Sequence, residues 1–434
     1  MKSRESGVAS RESGHLKLDF GIATTDLRLV TRDFIKMARK LYPDKWLFAA
    51  TIGLALFGLV MVYSASAITA QKENGSQYYY VIKQGIWTGF GLVAMFITMH
   101  VDYRWLRNRR LVYAIVLVTT LMLFAVFGFS PINGARRWIK LRAFSIQPSE
   151  ISKITLAIFL AYFLEKRAGE EGAFLRTFVP AAVITGLLAL LVVAEPDLGT
   201  ALMLAVIFVV VIYTAGAKLL HLGMAAAPAL IGLAGLLIFV PWRLKRLLIF
   251  LDPWADPRGG GYQIVQALLA FGSGGPHGLG FAQGRQKLFF LPFAHSDFIF
   301  AVIGEELGLA GGLGVVLVFG LFLWRGIRTS LRAPDRFAML LSLGLVTSIV
   351  AQALFNMSVV LALLPTKGIP LPFISYGGSS MVPTLAAAGM LLNISQYAGS
   401  GAVDLELLRS LVAKARQDPD RLRVAAAPSA TRFG

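Results

Sequence analysis

Cysteine is absent from the 434 residues. That excludes disulfides, thiolate metal ligands and thiol catalysis, and it says nothing about compartment. Acidic residues are scarce as well, 24 Asp and Glu against 42 Lys and Arg, for a net charge of +18. Charge of either sign is thin, at 15% of the chain against 56% hydrophobic, with mean hydropathy +0.66. A soluble globular protein is thereby excluded. No long soluble insertion interrupts the apolar sequence, and residues 1–45 are polar and charged with no apolar h-region, so a cleavable signal peptide is not expected. The first apolar segment should instead act as an uncleaved anchor.

What fills the chain is a series of apolar runs of about 17–25 residues, the length a helix needs to cross a bilayer. Ten are visible, at roughly 46–67, 83–100, 111–130, 150–164, 177–194, 200–216, 221–241, 297–324, 336–361 and 379–398. The fourth is short and needs its flanks to complete a span. The expected fold is an all-α integral membrane protein of about ten transmembrane helices, with both termini cytoplasmic and a large extracytoplasmic loop between helices 7 and 8. The domain plan is a cytoplasmic tail over 1–45, a polytopic membrane domain over 46–398 and a second cytoplasmic tail over 399–434. Within the first tail, residues 28–42 have helical apolar spacing suited to a membrane surface.

The basic excess could suggest nucleic acid, but its distribution argues for lipid. With the N-terminus inside, the Arg104, Arg107, Arg109 and Arg110 group and the Arg325, Arg328, Arg332 and Arg336 group both fall in cytoplasmic segments. That obeys the positive-inside rule and faces anionic membrane lipids. No nucleic-acid partner is expected.

Four loops share the opposite, extracytoplasmic side: 131–149, 195–199, 242–296 and 362–378. The first carries Arg136, Arg137, Lys140 and Arg142 where positive charge should be rare, with Trp138 beside them. Guanidinium groups suit phosphate oxygens, so an anionic ligand is the simplest compensation; a headgroup-binding loop is the plainer alternative. Ser149 is the expected N-cap of the fourth span, with Glu150 in its first turn and Lys153 at i+3. The pair either neutralises itself or offers Lys153 to a pyrophosphate. Glu195 and Asp197 flank Pro196 in a turn where Asp197 could simply cap the next helix. The long third loop is too apolar for a solvated linker and should re-enter the membrane or pack over a cavity. It is rich in glycine, but no P-loop lysine follows. The fourth places Lys367 among prolines and ends in a Gly-Gly-Ser-Ser helix start at Ser379, where free N–H groups can bind an anion.

Asp297 opens the eighth span, with Ser296 as its expected cap, and Glu305 and Glu306 follow two turns further in. Carboxylates at membrane depth rarely occur without a pairing, transport or catalytic role. Glu305 and Glu306 suit a structural ion pair with another span. Asp297 is the candidate for chemistry, although a capping position should lower its pKa and weaken it as a base.

Taken in order, Arg136-Arg137-Trp138-Ile139, QPSEISK at 147–153, EPDLGTA at 195–201, GYQ at 261–263, AHSDFIFAVIGEELG at 294–308 and PLPFISYGGSS at 370–380 resemble the SEDS family (shape, elongation, division and sporulation) of bacterial cell-wall polymerases. The match covers nearly everything between residues 50 and 398. The last two segments look more like the division, FtsW-like branch than the elongation, RodA-like branch. Ser296 stands where the family commonly has threonine. The resemblance implies a peptidoglycan glycosyltransferase of the bacterial inner membrane, using lipid II in cell division, its site facing the periplasm or exterior. Asp297 matches the family's catalytic aspartate. Arg136, Arg137, Trp138, Glu150, Lys153, Lys367 and Ser379 are the expected substrate contacts, with magnesium or manganese as a candidate helper. A class B penicillin-binding transpeptidase and other divisome proteins are the implied partners. A lipid II flippase and a non-catalytic division scaffold are the rival readings.

Overall fold

The computed structural model describes residues 42–130, 135–141 and 144–397. Residues 1–41 of the first tail, which hold all of the 28–42 segment but its last residue, the second tail, and Arg142 lie outside the described residues. Each of the ten apolar runs lies on a helix: α1 (Lys45–Asn74), α2 (Tyr79–His100), α3 (Arg109–Ala125), α4 (Pro148–Lys166), α5 (Val179–Ala194), α6 (Leu198–Thr214), α7 (Leu219–Ile238), α10 (Ile299–Leu331), α11 (Arg336–Val360) and α12 (Met381–Ser395). Two more, α8 (Pro241–Leu251) and α9 (Tyr262–Gly274), fold inside the long loop. Among the described residues, six helices are long and apolar enough to cross a membrane: α1, α2, α3 with its 3-10 extension, α5 with its leading π turn, α10 and α11. The all-α expectation needs one amendment, a two-stranded hairpin of β1 (Ile139–Leu141) and β2 (Phe144–Ile146), antiparallel with Lys140 opposite Ser145.

Local chemistry sets the helix ends. Asp44 caps α1 by accepting from Trp46 N and Leu47 N at 3.0 Å each, and Gly75 closes it in the left-handed conformation at φ 72°. Asp335 caps α11 through Ala338 N at 2.9 Å. Two expected caps are corrected. Gln147, not Ser149, is the N-cap of α4, because Pro148 takes the first helical position and leaves Ser149 in the first turn. Ser296 does not cap α10, which begins two residues after Asp297; its hydroxyl turns back toward Phe293 O at 3.4 Å.

Small residues let the spans approach closely, as packing in lipid requires. A Cβ on Gly389 of α12 would sit 2.3 Å from Met95 O of α2, and one on Gly58 of α1 2.5 Å from Phe373 O. Thr98 adds an interhelical bond from α2 to Ala386 O at 3.0 Å. α4 and α11 lie deepest, packed on each other and on α6. α7 is the opposite case: among its described side chains His221 alone is buried.

Charged residues tie the bundle at one end, which the sequence assigns to the cytoplasm. Arg325 pairs with Asp44, Arg107 with Glu165 at 2.5 Å and Arg336 with Glu171 at 2.6 Å, while the Tyr103 hydroxyl donates to Asp335 at 2.7 Å.

Towards the opposite end, the long loop packs back into the fold. α10 breaks at Gly308 (φ 67°), which frees backbone groups in mid-helix. The segment after α9 satisfies them: Leu279 N and Gly280 N donate to Glu305 O and Glu306 O at 3.0 Å each, while Leu309 N and Ala310 N donate to Gly275 O and Pro276 O at 2.8 and 3.1 Å. Irregular backbone inside a membrane protein survives only when protein or water satisfies it in this way. The two glutamates lock the same junction. Glu306 accepts from Lys287 Nζ at 2.5 Å, from Ala282 N at 3.0 Å and from the Ser64 hydroxyl of α1. Glu305 accepts from Arg285 N at 2.7 Å and Gln286 N at 3.1 Å. The ion pair foreseen for these carboxylates exists at Glu306, but its lysine comes from the re-entrant loop and not from another span.

Candidate active site

Asp297 sits in the turns that lead into α10 and is half-buried. Protein crowds it while part of its surface stays open. Its neighbour in the fourth loop is Gly368, where a Cβ would lie 2.8 Å from Asp297 Oδ2. A side chain at 368 would press on that carboxylate, and glycine removes the conflict. Asn356 of α11 fixes the approach, donating from Nδ2 to both Asp297 O at 2.8 Å and Ile369 O at 2.7 Å. Ser375 adds a bond to Ser296 O at 2.6 Å, and Tyr376 N one to His295 O at 2.9 Å. The aspartate is therefore held through its backbone, and its carboxylate has no hydrogen-bond or ion-pair partner among the described residues.

That carboxylate is not a capping group, and the expected lowering of its pKa is corrected. Burial raises Asp297 to about 6, with Arg137 opposing the rise and Asp197 adding to it. A base poised near neutral pH is the result. His295 is driven the other way, to about 4, by burial, with Glu73 opposing; it is a neutral imidazole stacked on Tyr80 at 4.5 Å and set against Tyr376 at 5.5 Å.

Arg137 arrives from the segment before β1. Its Nε donates to Glu195 O at 3.3 Å and its Nη2 to Pro196 O at 2.5 Å, so it clamps the α5–α6 turn through backbone carbonyls. It forms no ion pair among the described residues, although Asp297 lies within electrostatic reach. Asp197 is occupied as the α6 cap, accepting from Thr200 N at 3.2 Å and the Thr200 hydroxyl at 2.8 Å, so the plainer reading of that residue holds. Glu195 is fully buried, and neither carboxyl oxygen has a hydrogen-bond partner.

The remaining candidates divide. Glu150 and Lys153 are buried and paired at 2.9 Å, and Lys153 also donates to Gln352 of α11. Gln352 in turn donates to Pro370 O at 2.9 Å, so this pair supports the fourth loop from beneath. A small cavity of about 10 Å³, room for roughly one water, lies against Glu150, Lys153, Gln352, Pro372 and Thr384. Lys367 is half-buried beside Gly368. Ser379 is buried in the 3-10 turn Gly378–Ser380 that leads into α12. Trp138 is half-buried, and the exposed Arg136 donates to Phe127 O at 3.0 Å beyond α3. Sequence reasoning missed Gln352 and Asn356; the available signal was two amides four residues apart in an apolar span.

Among the described residues no group of three or more His, Asp or Glu side chains is arranged to hold a metal ion, and Asp197 is engaged as the α6 cap.

Residues 45–400 match the model of a family described as "Cell cycle protein", that of FtsW, RodA and SpoVE. Stage V sporulation protein E of Bacillus subtilis is 42% identical over 360 residues, 83% of this chain and 98% of that protein. A probable peptidoglycan glycosyltransferase FtsW of Geobacter metallireducens is 41% identical, covering 81% and 94%. Among solved structures, a chain from work on structural coordination of polymerization and crosslinking by a peptidoglycan synthase complex superposes with TM-score 0.68 at 29% identity, covering 82% and 98%. The rod shape determining protein RodA of Thermus thermophilus superposes with TM-score 0.61 at 28% identity over the same shares.

Proposed function

The chain belongs to the FtsW, RodA and SpoVE family, and from that premise we propose that it is a peptidoglycan glycosyltransferase that polymerises lipid II at Asp297 during cell division. The ten helices then all act as spans, the paired charged end faces the cytoplasm of the bacterial inner membrane, and Asp297 faces outward. The single observation that carries this reading is an unpaired, half-buried carboxylate held by its backbone within electrostatic reach of an arginine that pairs with no acid.

The reaction needs a base at one point and positive charge at another. The acceptor's 4-hydroxyl attacks the anomeric carbon of the donor, the bond to undecaprenyl pyrophosphate breaks, and configuration inverts. Asp297 takes the hydroxyl proton, a role worth about 10²–10⁴-fold. Arg137 and Lys367 are the side chains suited to the pyrophosphate as its negative charge develops. Lys153 contributes from below: balanced by Glu150, it steadies the loop that carries Lys367. The apolar, exposed α7 suits a substrate whose tail stays in lipid. A class B penicillin-binding transpeptidase is the fitting partner, given the synthase complex to which the fold is similar.

The test is lipid II polymerisation by the purified chain, with and without its transpeptidase, in wild type and Asp297→Asn. Wild type should form glycan strands and the variant should lose about 10²–10⁴-fold while staying folded. An active Asn variant refutes the base, and lipid II translocation in proteoliposomes without strands would establish the flippase instead. Because the base must be ionised, wild-type activity should fall as pH drops through about 6, where Asp297 protonates.

A further inference from the structure

Glu195 is a buried titratable group that the mechanism leaves unused. It is 0% exposed, with both carboxyl oxygens unpartnered among the described residues. It neighbours an arginine, yet the two do not pair: Arg137 donates to the backbone carbonyls of Glu195 and Pro196. A buried carboxylate beside a guanidinium ordinarily closes an ion pair, since an isolated buried charge is far costlier than a neutral acid. Here the arginine is oriented by carbonyls, and the acid is left in a site that favours its neutral form.

We infer that Glu195 is a charge switch for the anion subsite: protonated, it leaves the Arg137 guanidinium uncompensated for a pyrophosphate-bearing ligand, and ionised, it cancels that charge. This rests on the polymerase reading for the ligand, but not for the state of Glu195 itself. The groups facing the pair are few. Asp197 and Arg137 act on Glu195; Asp297 and Arg246 of α8 act on Arg137. Asp197 cannot take over the neutralising role, because its oxygens are engaged by Thr200 and, at 3.4 Å, by Gln147. Burial, with Asp197 adding and Arg137 opposing, raises Glu195 to about 8, so the neutral form dominates at neutral pH. Glu195 acts through Arg137 and is a positioning residue, not a catalytic one.

Two measurements test this on the full-length chain. In lipid II polymerisation across pH, wild type should lose about tenfold per pH unit above about 8, through a rising KM at near-constant kcat. Glu195→Gln mimics the neutral acid: it should keep activity within about threefold at neutral pH, retain the Asp297 acid limb and lose the alkaline one. An alkaline limb that persists in the variant, or one carried by kcat alone, overturns the proposal. The second needs neither substrate nor variant: infrared difference spectra of the wild-type chain should show a protonated-carboxyl band disappearing as pH rises through about 8. No such band overturns the switch even if polymerisation is observed, whereas the band without polymerisation means that the ligand reading failed and not the switch.

Discussion

Arg325 and Arg137 lie at opposite ends of one bundle and are held in different ways. Arg325 closes on the Asp44 carboxylate, which also caps α1, so its charge is cancelled and its geometry fastens helix to helix. Arg137 is oriented as firmly, but by the carbonyl oxygens of Glu195 and Pro196, which leave its charge intact. The same contrast extends around each. Near Arg325, Arg107 meets Glu165 and Arg336 meets Glu171. Near Arg137, Asp297 stands unpaired, Glu195 is orphaned and the Asn356 Oδ1 has no partner. Single orphaned atoms occur at both ends, Glu165 Oε2 and Arg336 Nε among them, but among the described residues only Glu195, toward Arg137, has a whole buried carboxyl group without a partner, and such a group costs free energy.

Lys287 provides the strongest challenge to that contrast, because it is a buried charge toward the unpaired end that serves structure. Lys287→Ala leaves Glu306 buried without its counter-ion and should destabilise the fold by about 3–5 kcal/mol, read as a lowered midpoint in thermal unfolding. A variant of normal stability that lost only activity would move Lys287 into the functional set. Arg137→Gln should act in the opposite manner. Removing charge-assisted bonds to the substrate should raise KM for lipid II by about 10–100-fold with little change in kcat. The smallest effect belongs to Arg325→Gln. Asp44 keeps its cap but loses a partner in a mostly buried pair, so stability should fall by about 1–3 kcal/mol and polymerisation should be unaltered. If Arg325→Gln impaired catalysis as much as Arg137→Gln, the division of labour between the ends would be wrong.

The helices were legible because hydropathy has one dominant cause in a membrane protein, the cost of bare backbone in lipid: each of the ten apolar runs lies on a helix, and among the described residues six helices are long and apolar enough to cross a membrane. Asp297 stands out for the same reason, as a carboxylate at the edge of an apolar run, where carboxylates are expensive. Partners were not. Glu306 is adjacent to Glu305 in sequence, yet its lysine lies on a loop that returns through the Gly308 break, a contact no helical periodicity encodes. Ser149 and Ser296 look like caps by residue type, but Pro148 and the turn before Ile299 move the helix starts. The pKa of Asp297 was misjudged because local position argued for a cap, whereas burial, a tertiary property, sets its value. Gln352 and Asn356 were passed over because amides within an apolar span announce a bond without naming its recipient.

The docking of the Gly275–Lys287 segment onto the Gly308 break has a practical corollary for anyone altering this loop. Ordinary external loops accept foreign peptide readily, since their backbone answers to water. Here one stretch does and the next does not. The exposed run from Trp254 to Gly260 can carry an epitope or a fluorescent reporter. The same insertion near Gly278, whose Cβ position lies 2.1 Å from Glu306 O, would prise open a membrane helix from outside.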